Sequence, residues 1–393
     1  KNRRADNMDK RLFDGTVRFE HVTGVGTMQV DFQHNQRVYT MIGENGVGKT
    51  KFLECLFTVL LFTNSSALEK GHYIKVNKLP FKKVESLIFT QKFDENESYY
   101  IGRDGRTFFS GYTHDLPIVY LAAQNRGGIK YTHSAIPELE KHEKRMEKYL
   151  DGLFDIFWND HTEENFKNLN MNTNVKEWVI QRANSANQFQ AKEDNRQIEL
   201  EVLVSLLNKI DSRIDEKFLE KSGYEVFIKV GGERRELSDL SSGFTSIVKI
   251  IQSIIAGYSY FTNKEQIAEV DGVVLIDEIE SHLHNEWQIK IVPLLKKLFP
   301  NTTFFITTHS SLVISQLEQG EAYRLVRSKE DGVVYGKMID YPSNASFVDL
   351  LNEAFGVDLN KKKIERAQER NQEQAKKALL ELVRQELGGL GDK

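Results

Sequence analysis

One octapeptide, Gly43-Glu44-Asn45-Gly46-Val47-Gly48-Lys49-Thr50, satisfies every fixed position of the pattern G-x-x-x-x-G-K-[ST]. Such a stretch constrains its surroundings. Its glycines turn successive backbone N–H groups inward around an anion only where a strand delivers the chain and a helix carries it away. Both flanks fit: Arg37 to Ile42 reads as a buried strand, and Thr50 to Leu61 as an apolar-rich helix. Asn45, Gly46 and Gly48 are expected to line phosphates, Lys49 to set its charge near the β and γ phosphates, and the Thr50 hydroxyl to ligate Mg2+. The reading is a nucleoside-triphosphate site.

The rest of the chain divides around that loop. Residues 12–133 read as one half of a core, with short strands at Val17 to Glu20 and Met28 to Phe32 forming an antiparallel part beside the nucleotide site. Further strands are expected at Val84 to Phe93, Tyr99 to Gly102, Thr107 to Gly111 and Ile118 to Ala122, with Gly, Asp and Asn turns between them. Residues 134–222 change character. Charge rises, and apolar residues such as Met146, Leu150, Leu153 and Phe154 recur at helical spacing, so a helical lobe is expected as an insertion. Residues 223–345 return to the core through a hairpin, Tyr224 to Val230 and Arg234 to Leu237, followed by a helix from Gly243 to about Phe261 and a β-α-β-α succession. In 346–393 a charged helix carries Ala375, Leu379, Leu382, Val383 and Leu387 on one stripe.

Val273-Val274-Leu275-Ile276-Asp277-Glu278 is an apolar run ending in two acids, the pattern of a central parallel strand. Asp277 is placed to hold Mg2+ and Glu278 to polarise an attacking water. His309, in Thr307-Thr308-His309-Ser310 after the next strand, is a candidate γ-phosphate contact, against a structural role in the loop. Gln124, ending the strand from Ile118, is a candidate bridge between Mg2+ and the water. Leu240-Ser241-Ser242-Gly243-Phe244 opens a helix, and a helix N-terminus with a hydroxyl and a glycine is an anion site. A second such site is useful if Ser241 and Gly243 complete the pocket of another subunit.

In this order of pieces the chain resembles the ABC-type ATPases, matching their Walker A, Q-loop, signature, Walker B and H-loop over most of residues 15 to 330. The resemblance implies an α/β P-loop head: a mixed parallel core sheet, an antiparallel β subdomain, an inserted helical lobe and a C-terminal helix. It also implies ATP and Mg2+ sandwiched in a head-to-tail homodimer or higher homo-oligomer. Ser242 and Phe244 depart from the Gly and Gln usual in transporter subunits. Glu280-Ser281-His282-Leu283-His284 ends in Leu-His where transporters run on to Leu-Asp, and Trp287-Gln288 follows. These residues are similar to the prokaryotic OLD-type and SMC/RecF-like ATPases, among them the ATPases of the Septu and PARIS anti-phage systems. That resemblance implies an ATPase that senses and scaffolds for a separate nuclease or toxin. His282 and His284 are read as part of the family's turn rather than a metal pair, and no acidic cluster suited to two metals follows the core. The rival readings are a DNA-repair clamp, a transporter ATPase and a non-hydrolysing assembly scaffold.

Composition narrows the setting. No apolar run approaches the ~20 residues of a membrane-spanning helix, the opening Lys1-Asn2-Arg3-Arg4 lacks a secretory pattern, and the single cysteine, Cys55, suits a helix core. A cytoplasmic protein without membrane contact is expected. The net charge of −4 argues against a uniformly basic protein. Clusters at Lys82-Lys83, Lys141 to Arg145 and Lys361 to Lys363 leave nucleic-acid contact open.

Overall fold

The computed structural model describes residues 15–102, 108–129, 136–159, 166–171, 174–186, 191, 194–340 and 342–344. The expected C-terminal helix lies outside the described residues. Fifteen strands are described: β1 (Gly15–Val22), β2 (Gly26–Phe32), β3 (Val38–Ile42), β4 (His72–Lys75), β5 (Lys83–Glu85), β6 (Thr90–Lys92), β7 (Ser98–Ile101), β8 (Ile118–Leu121), β9 (Ile214–Ser222), β10 (Glu225–Val230), β11 (Glu233–Glu236), β12 (Gly272–Ile276), β13 (Thr302–Thr307), β14 (Ala322–Arg327) and β15 (Val334–Met338). The described helices are α1 (Lys49–Thr63), α2 (Ser65–Lys70), α3 (His142–Asp155), α4 (Val175–Ser185), α5 (Gln197–Ile210), α6 (Ser242–Phe261), α7 (Asn285–Leu298) and the single turn α8 (Ser311–Ile314).

Ten strands make one mixed sheet in the order β6-β5-β1-β2-β15-β14-β3-β13-β12-β8. Its core, β14-β3-β13-β12-β8, is parallel throughout. β3, β8 and β12 are buried along their whole lengths, which is why they read as unbroken apolar runs. β15 is antiparallel to β14 and parallel to β2, so the antiparallel β1-β2 ribbon continues the same sheet. The chain has an α/β fold of the P-loop type, the glycine-rich loop joining β3 to α1.

Helix α1 packs on β1, β8 and β13, and nearly every one of its residues is buried, Cys55 included. Helix α6 packs on β8. Gly257 makes that contact close, since a Cβ there would lie 2.4 Å from Val119 Cγ2.

Local structure departs from expectation in four places. Val84 to Phe93 is the hairpin β5–β6 rather than one strand, because Ser86 Oγ accepts from the N–H groups of Ile88 and Phe89 and closes a turn. Phe108–Gly111 is a short helical turn, held by Phe109 packing edge-on to Phe89 at 5.0 Å. The hairpin β10–β11 does not rejoin the core sheet. It pairs with β9 in a separate three-stranded sheet that packs on α4 and α5. β9 occupies residues expected to end the helical lobe; its charged, largely exposed residues hide the strand pattern.

Candidate nucleotide site

β3, flanked by β13 and β14, delivers the chain to the loop. Gly43, Gly46 and Gly48 have φ of 146°, 78° and 112°, values that favour glycine. At Gly43 the requirement is also spatial, because a Cβ would lie 2.8 Å from the Leu325 carbonyl of β14. Gly48 caps α1 without a side-chain acceptor, and no acid stands in the first turn. The first N–H groups of α1 therefore remain available to an anion, with the helix dipole behind them. Lys49, 6% exposed, donates to the carbonyls of Gly43 at 2.9 Å and Glu44 at 3.0 Å. Burial pushes its pKa down to about 8, against the opposing pull of Asp277, Glu278 and Glu280. Asn45 is exposed in the same loop.

Asp277 follows β12, flanked by β8 and β13, and is buried. Thr50 Oγ1 donates to its carboxylate, with oxygens at 3.0 and 3.2 Å. Thr307 Oγ1, from the end of β13, donates to the same carboxylate at 2.6 Å and accepts from the N–H of Glu278 at 2.7 Å. Burial raises the Asp277 pKa despite the hydroxyls of Thr307 and Thr50. A buried carboxylate beside a hydroxyl is a hard-oxygen donor pair. It suits Mg2+, which takes one or two protein ligands and fills its octahedron with phosphate oxygens and water. Thr50 and Asp277 would hold that ion.

Glu278 is half-buried and has φ of 45°, uncommon for a residue with a side chain. Its carboxylate accepts from Ser281 Oγ at 3.3 Å. Glu280 fixes the neighbouring loop by accepting from Thr308 Oγ1 at 2.7 Å and from the N–H of His309 at 2.6 Å. The His309 imidazole is half-buried, and burial, then the Lys49 charge, lowers its pKa below the usual histidine value. The shift favours the neutral imidazole.

One residue central to this geometry escapes a reading of the sequence. Arg126 is fully buried, and its guanidinium donates to three main-chain carbonyls: Leu121 at 2.9 Å, Asp277 at 2.6 Å and Glu278 at 2.8 Å. Its own carbonyl accepts from Ser246 Oγ of α6 at 3.2 Å, and Lys249 of the same helix donates to the Asn125 carbonyl. Gln124 is exposed at the start of this segment. A basic residue before Gly127-Gly128, just past a buried strand, was the available signal.

Ser241 and Ser242 stand exposed at the tip of α6, where Ser241 caps the helix by accepting from Phe244 N–H at 3.4 Å. Gly243 lies against the rings of His284 and Trp287, a Cβ there coming within 3.1 and 3.4 Å. His282 packs instead against Gly127. The two histidines thus brace different segments, and among the described residues no cluster of three or more His, Cys, Asp or Glu is arranged for a metal. The loop, Asp277, Glu278 and His309 gather at one end of the parallel strands, whereas Ser241 and Gly243 sit on a separate helix tip.

The chain is similar to known proteins in both sequence and structure. The family described as "AAA domain, putative AbiEii toxin, Type IV TA system" matches residues 38–315. The chain is 24% identical to the Septu protein PtuA of Bacillus mycoides over 327 residues, covering 82% of this chain and 41% of that protein. It is 23% identical to the Septu protein PtuA of Bacillus thuringiensis over 359 residues, 87% of this chain and 84% of the relative. A retron Ec83 probable ATPase of Escherichia coli is 31% identical over 109 residues, 27% of this chain and 20% of that protein. Among solved structures, an SMC head bound to the C-winged helix domain of ScpA is 12% identical with a TM-score of 0.44 over 85% of this chain and 100% of its own. The SMC head domain from Thermotoga maritima is 13% identical with a TM-score of 0.39, over 83% of this chain and 98% of its own.

Proposed function

The chain belongs to this AAA-domain family, and we propose that it is an ATP-hydrolysing switch that pairs head to tail and controls a separate effector in anti-phage defence. Its Septu and retron relatives motivate the defence setting. The effector, a nuclease or toxin, belongs to the proposal, as does a cytoplasmic location; among the described residues no helix is long and apolar enough to cross a membrane.

The observation that carries the reading is the contact between Thr50 and Asp277 across 227 residues of sequence, with Thr307 tying the same carboxylate to the Glu278 main chain. In the proposed reaction the loop N–H groups, with Asn45, Gly46 and Gly48, enclose the phosphates, and Lys49 leaves its carbonyl partners for the β and γ oxygens. Mg2+, when bound, offsets phosphate charge and fixes the geometry of displacement. Glu278 takes the proton of the attacking water, Gln124 positions that water, and neutral His309 hydrogen-bonds the γ-phosphate. Ser241 and Gly243 of the partner subunit close the pocket from the other side.

The test is Glu278→Gln. It should retain ATP binding and lower the rate of phosphate release by about 10²–10⁴-fold, the range for a lost general base, while light scattering detects an ATP-dependent pair. Unchanged turnover would remove Glu278 as the base. An ATP-loaded species that stays monomeric at all concentrations would remove the sandwich. Co-purification with this trapped form identifies the effector.

A further inference from the structure

The helical lobe holds a cavity of about 890 Å3, walled by α3, the turn at 168–170, α4 and the end of α6. That volume falls within the roughly 300–1,000 Å3 typical of small-molecule sites. Behind and along its wall, three guanidinium groups crowd around one carboxylate. Arg145, Arg182 and Arg196 are 5%, 2% and 2% exposed, and Glu199 is fully buried. Glu199 accepts from Arg182 Nε at 3.0 Å and from Arg196 Nε at 2.6 Å. Arg145 is left with neutral partners, the Glu140 carbonyl at 3.3 Å and Asn263 Oδ1 at 3.1 Å.

Arg145 Nε and Arg196 Nη2, both closed off from solvent, have no acceptor among the described residues, and Arg196 lies behind the wall rather than in it. The excess positive charge is felt nearby: burial, then Arg145 and Arg196, lowers the His142 pKa. The carboxylates of the cavity do not balance it, since Glu140 is engaged by Lys144 at 2.9 Å and Lys148 at 2.7 Å, while Glu138 and Asp155 are exposed. Buried cations in excess are costly without an anion, and a guanidinium fork matches phosphate oxygens. Tyr260, stacked on Tyr149 at 4.2 Å, contributes an aromatic surface to the same wall.

We propose that this cavity is a second ligand site, one that takes a mononucleotide with its phosphate against Arg145 and its planar ring against Tyr260. The cavity abuts the C-terminal end of α6, whose other end is the Ser241–Gly243 tip, so occupancy is expected to alter ATP turnover. That consequence rests on the function proposed above; binding itself does not.

The test uses the full chain carrying Lys49→Ala, which disables the phosphate loop, titrated calorimetrically with adenosine monophosphate, guanosine monophosphate and inorganic phosphate. Saturable binding of a monophosphate is expected, weakened at least about tenfold by Arg145→Met. Gly152→Trp guards against misfolding. Gly152 lines the cavity, a Cβ there meets nothing within 4 Å, and the larger residue suits the helix better than glycine. It should abolish binding without lowering the melting temperature. No binding in the Lys49→Ala chain, binding indifferent to both further substitutions, or inorganic phosphate bound as tightly as the monophosphates would each overturn the proposal.

Discussion

Arg126 donates a 2.6 Å hydrogen bond to the main-chain carbonyl of Asp277 from 151 residues away. The same guanidinium reaches the Glu278 carbonyl, so a single side chain anchors the peptide units of both acids. Arg126→Met would leave the Asp277 carbonyl without its donor, at about 1–3 kcal/mol for a buried unsatisfied group, while the Leu121 and Glu278 carbonyls keep only the N–H groups of Asp277 and Ser281. Displacing Glu278 by an ångström is sufficient to cost about 10²-fold in rate. Turnover should therefore fall by at least that factor while ATP affinity, set by the separate loop, stays within a few-fold. Paired measurements of phosphate release and fluorescent-nucleotide binding decide it. Arg126→Lys should rescue little, since one ammonium cannot reproduce the planar fork.

Thr307 stands between the two acids, donating to Asp277 and accepting from the Glu278 N–H. Thr307→Val keeps the shape and removes both bonds, leaving a buried carboxylate and a buried N–H short of partners. Stability should drop by about 1–3 kcal/mol, read from the urea midpoint. Turnover should also need more Mg2+ for half-maximal rate, because Asp277 loses the hydroxyl that orients it. An unchanged Mg2+ requirement would limit Thr307 to a structural role.

The sequence foretold what is local. The loop glycines, the unbroken β3, β8 and β12, and α6 beginning at the Ser-Ser-Gly stretch each depend on residues within a few positions. Arg126 and Thr307 gave no comparable sign, because their partners arrive from other strands. The left-handed backbone at Glu278 was likewise invisible, since it is imposed by the turn that follows β12. β9 failed for a different reason: Asp215, Glu216 and Lys217 are exposed strand residues with no apolar alternation to betray them. Where a lobe is built on charge, periodicity says little about it.

The lowered pKa of Lys49 gives a pH signature. Burial holds it at about 8, below the ordinary lysine value of 10.5, so the folded state disfavours the proton. Its contribution to stability is fully present above the unfolded value and is lost as pH falls from 10.5 through about 8. Lys49→Met should flatten stability across that window. A triphosphate reverses the preference, so ATP binding at pH 8.5 should draw a proton from solution. Calorimetry in buffers of different ionisation enthalpy measures this uptake, and its absence would mean that Lys49 is already fully charged before ATP arrives.

Ser241 offers a substitution that separates folding from pairing. Its side chain caps α6 by accepting from Phe244 N–H, and aspartate caps helices as well as serine. Ser241→Asp should therefore keep the melting temperature and ATP binding, yet set a negative charge against the γ-phosphate of the opposing copy. Turnover should collapse, and the ATP-dependent pair of the Glu278→Gln background should be lost. Mixing supplies the decisive control. A Lys49→Ala subunit has a disabled loop but an intact serine tip, whereas a Ser241→Asp subunit has the reverse. If each pocket is built from the loop of one copy and the tip of the other, one sound composite site forms in every mixed pair. Two inactive proteins should then regain phosphate release when combined. If no activity returns although mixed pairs form, the tip does not complete the partner's pocket, and hydrolysis is confined within one chain.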